Sequence, residues 1–498
     1  MQVAIEKPAL PEDGALAVGV WEDRTLTPSA ASVDEAGGGA LTRAMESARF
    51  TGKKNQTLTL FAPAGGTWSR VVLVGLGKAD DLDTLACQEI GGTVAGQLLK
   101  SGETKAALMA DPADEGGPDA ATMAANMAHG ARLGTYRFDR YRTRDKDEDT
   151  PSLETFAVHT RDVDAARQAL AGLDSVAEGV FLARDLQNEP ANVLSPEALA
   201  DRARDLKDLG IGVTILDEAE MAELGMEALL AVGRGSERES RLIVLEYRGA
   251  GSDVPPIAFV GKGVCFDSGG ISIKPSANMG DMKWDMGGAA VVLGTMRALA
   301  GRGAKVNAVA VIGAVENMPS GAAQRPGDIV TAMSGQTIEV TNTDAEGRMV
   351  MADCITWVQK HHDPALIVDV ATLTGAIIIA LGPEHAGLFS NDDATAEALA
   401  AAGRAAGDPV WRLPMGSGYD EMIKADFADM KNAGEREAGS IQAAQFLQRF
   451  LDEGRSWAHV DIAGTTWAKK DKPTVPKGAT GFGVRLLDRW VHDAREQG

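Results

Sequence analysis

Residues Val260–Ala289 read VGKGVCFDSGGISIKPSANMGDMKWDMGGA, and residues Asn342–Arg348 read NTDAEGR. An apolar, β-rich run precedes each: Ile257–Val260 before the first and Thr337–Val340 before the second. The polar stretches themselves are rich in Gly and Ser, the composition of loops that leave a strand and present polar groups on a rigid scaffold. Helical patterns follow each, at Ala289–Ala300 and Gly347–Lys360. Strand, polar loop and helix, met twice, predict a largely parallel, helix-covered sheet. In such sheets sites form beyond the C-terminal ends of the strands, which is where Val260 and Val340 place the two polar stretches.

Outward from this pair the same alternation continues. Further strands are expected at Gly212–Leu216, Leu242–Glu246, Lys305–Ile312, Leu366–Asp369 and Ala458–Ile462, and further helices at Ala396–Gly403 and Ile441–Leu451. Toward the N-terminus, Leu58–Phe61 and Val71–Val74 read as strands, and the Ala-rich segments Leu85–Leu99 and Ala120–Leu133 as helices. The charge-dense stretch Tyr136–Pro151 reads as a solvated loop, and Ala165–Leu186 as one long helix. The fold class is therefore α/β. A small N-terminal α/β domain (1–165) is expected, then a linking helix (166–184), then a larger α/β domain (185–498) with a mostly parallel, helix-covered central sheet.

The totals narrow the function classes. The chain has 498 residues, 44% of them apolar, ordinary for a globular protein. Its formal net charge of −22 repels phosphate backbones and anionic lipid and argues against nucleic acid or membrane partners. Cys87, Cys265 and Cys354 are the only cysteines, too few for a disulfide framework or a cysteine metal cluster. The opening residues lack a basic start followed by an apolar core, so no signal peptide is expected. The most apolar run, Leu366–Leu381, is broken by Asp369, Thr372, Thr374 and Gly375 and is too short to span a bilayer. A cytoplasmic location is the expectation.

The two polar stretches hold the chemistry-bearing residues. Asp267, Asp285, Asp344 and Glu346, crowded together, would repel strongly unless cations neutralise them. Two divalent ions balance four carboxylates, and oxygen-rich ligation suits Mg²⁺, Mn²⁺ or Zn²⁺. Charge alone leaves the alternative of scattered surface acids open. Asp344 and Glu346 stand at i and i+2, which in extended backbone points both to one side. Gly347 then lets the chain enter a helix whose N-terminus, at Arg348, offers N–H donors to an anion. Read from position alone, Lys262, Lys274 and Lys283 are ordinary exposed lysines. The histidines form no ligand pattern. His361 and His362 follow a helix in a solvated turn, and His459 lies in a strand-like run. Neither HExxH nor GxSxG occurs.

With these residues in view, NTDAEGR at Asn342–Arg348 resembles the signature of the leucyl aminopeptidases (cytosol aminopeptidases) of bacterial type. VGKGVCFDSGGISIKPS resembles that family's first metal loop and MKWDMGGAA its second. Similarity continues through ATLTG at Ala371–Gly375, ADMKN at Ala428–Asn432 and WAHVDIAG at Trp457–Gly464, covering most of the chain from Asp185 onward. Met349 replaces the family's usual Leu, a volume-conserving change. The resemblance implies a metal-dependent aminopeptidase that removes N-terminal residues, preferably leucine or other apolar ones, from short peptides with a free N-terminus. It implies two divalent ions, Mn²⁺ or Zn²⁺, with Asp267 and Glu346 bridging them, Lys262 and Asp285 completing one site and Asp344 the other. Lys274 would polarise the scissile carbonyl as an electrophile, and Arg348 would hold a bicarbonate ion acting as general base. Met282, Asn342, Ala345, Thr372, Leu373 and Gly375 would line the first side-chain pocket or hold the peptide backbone. It further implies a homohexamer. Three rivals stand beside this reading. One is a two-metal phosphoesterase, which would leave Lys262 unexplained and usually recruits His. Another is a DNA-binding architectural or regulatory role, known for some members and opposed here by net charge. The third is a pseudo-enzyme, opposed by the presence of every residue the chemistry needs.

Overall fold

A computed structural model describes residues 1–144, 146 and 149–496. The chain divides into two units, Met1–Ala177 with Lys469–Lys477 and Glu178–Ala468 with Gly478–Gly498. The first is built on strands β1 (Gln2–Glu6), β2 (Ala15–Trp21), β3 (Thr25–Leu26), β4 (Thr57–Phe61), β5 (Arg70–Gly77), β6 (Lys105–Met109) and β7 (Thr155–His159). They pair in the order β1-β7-β6-β2-β5-β4, with β3 on β2. Both faces are covered, as the period-2 alternation of β2 requires. Leu16, Val18 and Val20 pack with Val33 and Leu41 of the helices Pro28–Ala36 and Ala40–Ser47. Ala15 and Ala17 face Ile90 and Met127 of the helices Thr84–Leu98 and Ala120–Gly134. The latter pair matches the two expected Ala-rich helices. In the charged stretch Tyr136–Pro151 the described residues form neither strand nor α-helix; residues 145, 147 and 148 lie outside the described set. A single helix, Val163–Asn188, runs from the first unit into the second.

The second unit holds β8 (Gly212–Leu216), β9 (Arg241–Arg248), β10 (Ile257–Asp267), β11 (Asn307–Asn317), β12 (Ile329–Thr331), β13 (Thr337–Glu339), β14 (Leu366–Ala371), β15 (Ala386–Ser390), β16 (Val410–Arg412), β17 (Met430–Lys431) and β18 (Ser456–Asp461). The main sheet runs β16-β15-β18-β14-β10-β11-β9-β8. Its centre, β18-β14-β10-β11, is parallel, and these strands are almost wholly buried, as expected with helices on both faces. Ala258, Val260 and Val264 of β10 pack with Met349 and Val350 of the helix Gly347–His362. On the opposite face a Cβ at Gly261 would lie 3.0 Å from both Ala289 Cα and Gly288 O of the helix Gly287–Gly301.

Three sequence expectations are corrected here. β10 does not end at Val260 but runs to Asp267. Gly261 and Gly263 lower its apparent β character, yet the absence of side chains is what lets the backbone of the helix Gly287–Gly301 and of β11 approach closely; a Cβ at Gly263 would sit 2.6 Å from Gly313 O. β11 likewise extends to Asn317 rather than Ile312. The segment expected at Thr337–Val340 is a strand, but of a separate three-stranded sheet, β12-β13-β17. The run Leu366–Leu381 splits into β14, a turn and the helix Gly375–Leu381. Among the described residues no helix is long and apolar enough to cross a membrane. The three cysteines are free and buried, Cys87 in the first unit and Cys265 and Cys354 in the second. Burial pushes the Cys87 thiol up to about 12 and raises the other two.

Candidate active site

Parity along a strand decides which side chains can meet. Lys262 and Asp267 are five residues apart, which in regular β structure points them to opposite faces. The pairing of β10 with β11 shifts register between Val264 and Phe266. That irregularity inserts Cys265 as the extra residue and restores Lys262 and Asp267 to one side, the re-aiming that bulges perform beside functional sites. Lys262 and Asp267 therefore belong to the strand itself rather than to a loop beyond it.

Lys262 Nζ donates to Asp285 Oδ1 at 2.7 Å and to Thr372 O at 2.9 Å, and lies 2.8 Å from Glu346 Oε1. Asp285 follows the turn Met279–Trp284, and Thr372 follows β14. Thr372 Oγ1 in turn donates to Asp285 Oδ1 at 2.9 Å. Glu346 is the residue before the helix Gly347–His362, with helical backbone (φ −77°, ψ −38°). The expected extended segment is thus a turn, and Asp344 and Glu346 converge by bending rather than by alternation. Gly347 leaves room for the Lys262 side chain: a Cβ there would lie 2.6 Å from Lys262 Cε and displace it. The second lysine, Lys274, pairs with Asp267 Oδ2 at 2.7 Å and with Asp344. Oxygens of Asp267, Asp344 and Glu346 all lie within 4.8 Å of one another.

This cluster is short of positive charge. Two lysines face four carboxylates, and burial acts on all of them. Burial raises Asp267 to about 7, with Glu346 adding to the effect and the lysines opposing it. Burial also lifts Asp285 well above the usual carboxylate range, and Asp344 upward. Glu346 is the exception: burial would raise it, but Lys262 and Lys274 together bring it down to about 2. Both lysines are raised, because the surrounding carboxylates outweigh burial. Asp285 Oδ2 is buried with no hydrogen-bond partner. An uncompensated carboxylate set with an orphaned buried oxygen fits divalent cations held by oxygen ligands; Asp267, Asp344 and Glu346 form the part that can close on one ion.

Arg348 lies in the first turn of its helix, where its guanidinium donates to Asn432 O at 2.6 Å while Nε is buried without a partner. Burial lowers it to about 10. A cavity of about 270 Å³ opens beside it, lined by Asn342, Asp344, Ala345, Leu373 and Gly375 among others. Of the expected substrate-binding residues, Met282 and Thr372 are set apart from that lining; Met282 is half-buried, and its carbonyl accepts from Asp285 N at 3.3 Å. Lys283, read as an ordinary lysine, donates to Asn188 O at 2.8 Å and sits over the Trp467 ring.

Several residues that organise the site escaped the sequence reading. Asn317, at the end of β11, donates to Asp267 Oδ1 at 2.8 Å and to Thr343 O at 2.9 Å. Asn432 accepts from Thr341 N and Asn342 N and donates to Asn342 O, fixing the turn that carries Asp344. Asp461, at the end of β18, accepts from Leu373 N at 3.0 Å and Thr374 Oγ1 at 2.7 Å. His459, by contrast, is the core group its strand-like run suggests, buried with its Nδ1 paired with Asp369. Asn432 and Asp461 lie inside motifs recognisable as whole blocks, but a lone Asn or Asp carries no periodic signal of its own.

Known proteins share this chain's architecture end to end. The catalytic domain of the cytosol aminopeptidase family matches residues 181–488, and its N-terminal domain matches residues 17–145. A probable cytosol aminopeptidase of Caulobacter vibrioides is 53% identical over 485 residues, 97% of this chain and 97% of that protein. One of Rhodopseudomonas palustris is 52% identical over 452 residues, 91% and 90% of the two chains. Among solved structures, a tomato leucine aminopeptidase point mutant superposes with a TM-score of 0.88 at 34% identity, covering 99% of this chain and 96% of that one. The bottromycin maturation enzyme BotP in complex with Mn gives a TM-score of 0.84 at 34% identity, covering 96% and 98%. Coverage of both domains at this level of identity places the chain in the cytosol aminopeptidase family, and it is an aminopeptidase hydrolase.

Proposed function

We propose that this aminopeptidase is metal-dependent and removes leucine and other apolar N-terminal residues from short peptides. The observation that carries the reading is the charge-deficient cluster of Asp267, Asp285, Asp344 and Glu346, with the unpartnered Asp285 Oδ2 in its interior. Asp267 and Glu346 would hold both of two divalent ions, Lys262 and Asp285 one of them, and Asp344 the other. When bound, such ions supply Lewis-acid polarisation of a carbonyl and a water activated at neutral pH. The chain's own groups do the rest. The Lys262 and Asp285 end receives the free α-amine of the substrate, which restricts the enzyme to N-termini. Lys274 keeps a cation beside Asp344 for the oxygen that gains negative charge. Arg348, with its buried Nε and the N–H groups of its helix start, holds an anion that can take a proton, and bicarbonate fits. Leu373 and Gly375, which line the cavity with Asn342 and Ala345, join Thr372 and Met282 in lining the first side-chain pocket or holding the peptide backbone. The residues from 185 onward form the catalytic domain, reached through the linking helix. A cytoplasmic homohexamer is the assembly we infer from the family.

The test is hydrolysis of leucine amide beside its N-acetylated form, by protein stripped with chelator and resupplied with Mn²⁺ or Zn²⁺. Manganese comes first because a solved relative is a complex with Mn. Metal-restored cleavage of the free-amine substrate alone supports the reading. Absence of cleavage with every metal, in folded protein, overturns it.

A further inference from the structure

The cavity beside Arg348 has a wall that the chemistry above does not use. Between β17 and the helix Gly439–Gln448 the chain runs along the cavity as a strap, residues 433–438, the first four of which line it. Ala433, Gly434, Glu435 and Arg436 line the cavity together with Asp344, Arg348 and Leu373; Lys262 and Asp285 lie outside that lining. The cavity therefore adjoins the reacting centre through Asp344, and not through the pair proposed to receive the substrate amine. A peptide with its N-terminus at Lys262 and Asp285 passes its second residue toward the strap.

The strap is held at three points. At its entry, Asn432 is tied to the turn at Asn342, and Ala433 O accepts from Thr341 Oγ1 at 2.8 Å. At its exit, Ala438 adopts a left-handed conformation (φ +52°, ψ +33°) just before the helix. In the middle, the side-chain amide of Gln442 donates to both Glu435 O, at 3.1 Å, and Glu437 O. Gln442 is only 1% exposed, and it also lines the cavity. The strap rests on it closely: a Cβ at Gly434 would overlap Gln442 Oε1 and lie 2.7 Å from Met422 O. One buried amide thus satisfies two strap carbonyls that have no neighbouring strand to pair with.

We propose that Gln442 is a positioning residue for the second residue of the peptide, acting by fixing the strap whose Glu435 and Arg436 line the cavity together with Leu373 and Gly375. The proposal rests on the aminopeptidase reading above and concerns only the side of the scissile bond that departs. Leucine amide, which leaves ammonia, does not reach the strap; leucyl-leucine does. In Gln442→Leu the carbonyls of Glu435 and Glu437 lose their donor, and the strap shifts. In Gly434→Ala the strap is pushed off an intact Gln442.

The experiment measures kcat and KM for leucyl-leucine and for leucine amide with Mn²⁺-loaded wild type and both variants. The expected result is a fall of about 10-fold in the ratio of kcat/KM for dipeptide over amide, carried by KM. If Gln442→Leu does not fold, Gly434→Ala decides by the same ratio. A ratio equal to that of wild type, or an equal loss of kcat on both substrates, overturns the proposal. Wild-type protein that cleaves neither substrate overturns the aminopeptidase reading instead, and the strap proposal with it.

Discussion

Asn317 reaches Asp267 Oδ1 and Thr343 O through one side-chain amide, so it orients a carboxylate and pins the turn carrying Asp344 at once. Residues that orient ligands in this way typically alter metal affinity by about 10- to 100-fold when removed. Asn317→Ala is expected to shift the manganese activation curve to higher concentration by that factor, with partial recovery at saturation. A curve superimposed on wild type would refute the role. Asp344→Ala removes a carboxylate and leaves Lys274 with one fewer partner, and its leucine amide turnover is expected to fall to background even at saturating metal. At this scale the sequence was legible where several chemical residues share a short segment, as in NTDAEGR. It was not legible for Asn317, whose two partners are 50 and 26 residues away in the chain and whose own neighbours are an ordinary apolar strand.

The helix Gly347–His362 carries Arg348 at its start, and its seating depends on Asp353. That carboxylate accepts from Leu229 N at 2.9 Å, near the start of the helix Glu227–Gly233, and from Met333 N at 2.8 Å. Burial raises Asp353 to about 7, partly offset by these N–H donors. Its folded pKa thus exceeds the unfolded value of about 3.9. The native state binds the proton more tightly. This contribution to stability is full below about pH 4, declines as pH rises toward 7 and is constant above, with a slope of at most about 1.4 kcal/mol per pH unit. Asp353→Asn does not titrate and leaves an N–H facing an amide, a cost of about 1–3 kcal/mol. Urea unfolding at pH 5 and pH 8 should show a wider gap between wild type and variant at pH 5; parallel behaviour would contradict the assignment. Elements were legible where apolar period was clean, as in the helices of the first unit. They failed at β10, where glycines needed for close backbone contact looked like a loop, and where one extra residue at Cys265 reverses the parity any alternating pattern would assign.

For the whole molecule, the alternation of strands and helices was enough to read an α/β class with helix-covered sheets. The separate β12-β13-β17 sheet was not readable, because pairing partners nearly a hundred residues apart, such as Ile338 and Met430, leave no local trace. Cations that bind only the folded state stabilise it by mass action, about 2.7 kcal/mol at a hundredfold excess over Kd. Chelator-stripped protein should therefore unfold at lower temperature than Mn²⁺-loaded protein, and identical midpoints would argue against a resident metal. The net charge of −22 predicts no retention of duplex DNA in a gel shift at roughly 0.15 M salt; a salt-sensitive shift would revive the nucleic-acid role. The three buried thiols have a further use. Wild-type protein carries its own alkylation clock: Cys87 reports opening of the first unit, and Cys265 and Cys354 report opening of the second. Because the folded state protects all three, the order in which iodoacetamide labels them gives the order in which the units open, with no engineered probe.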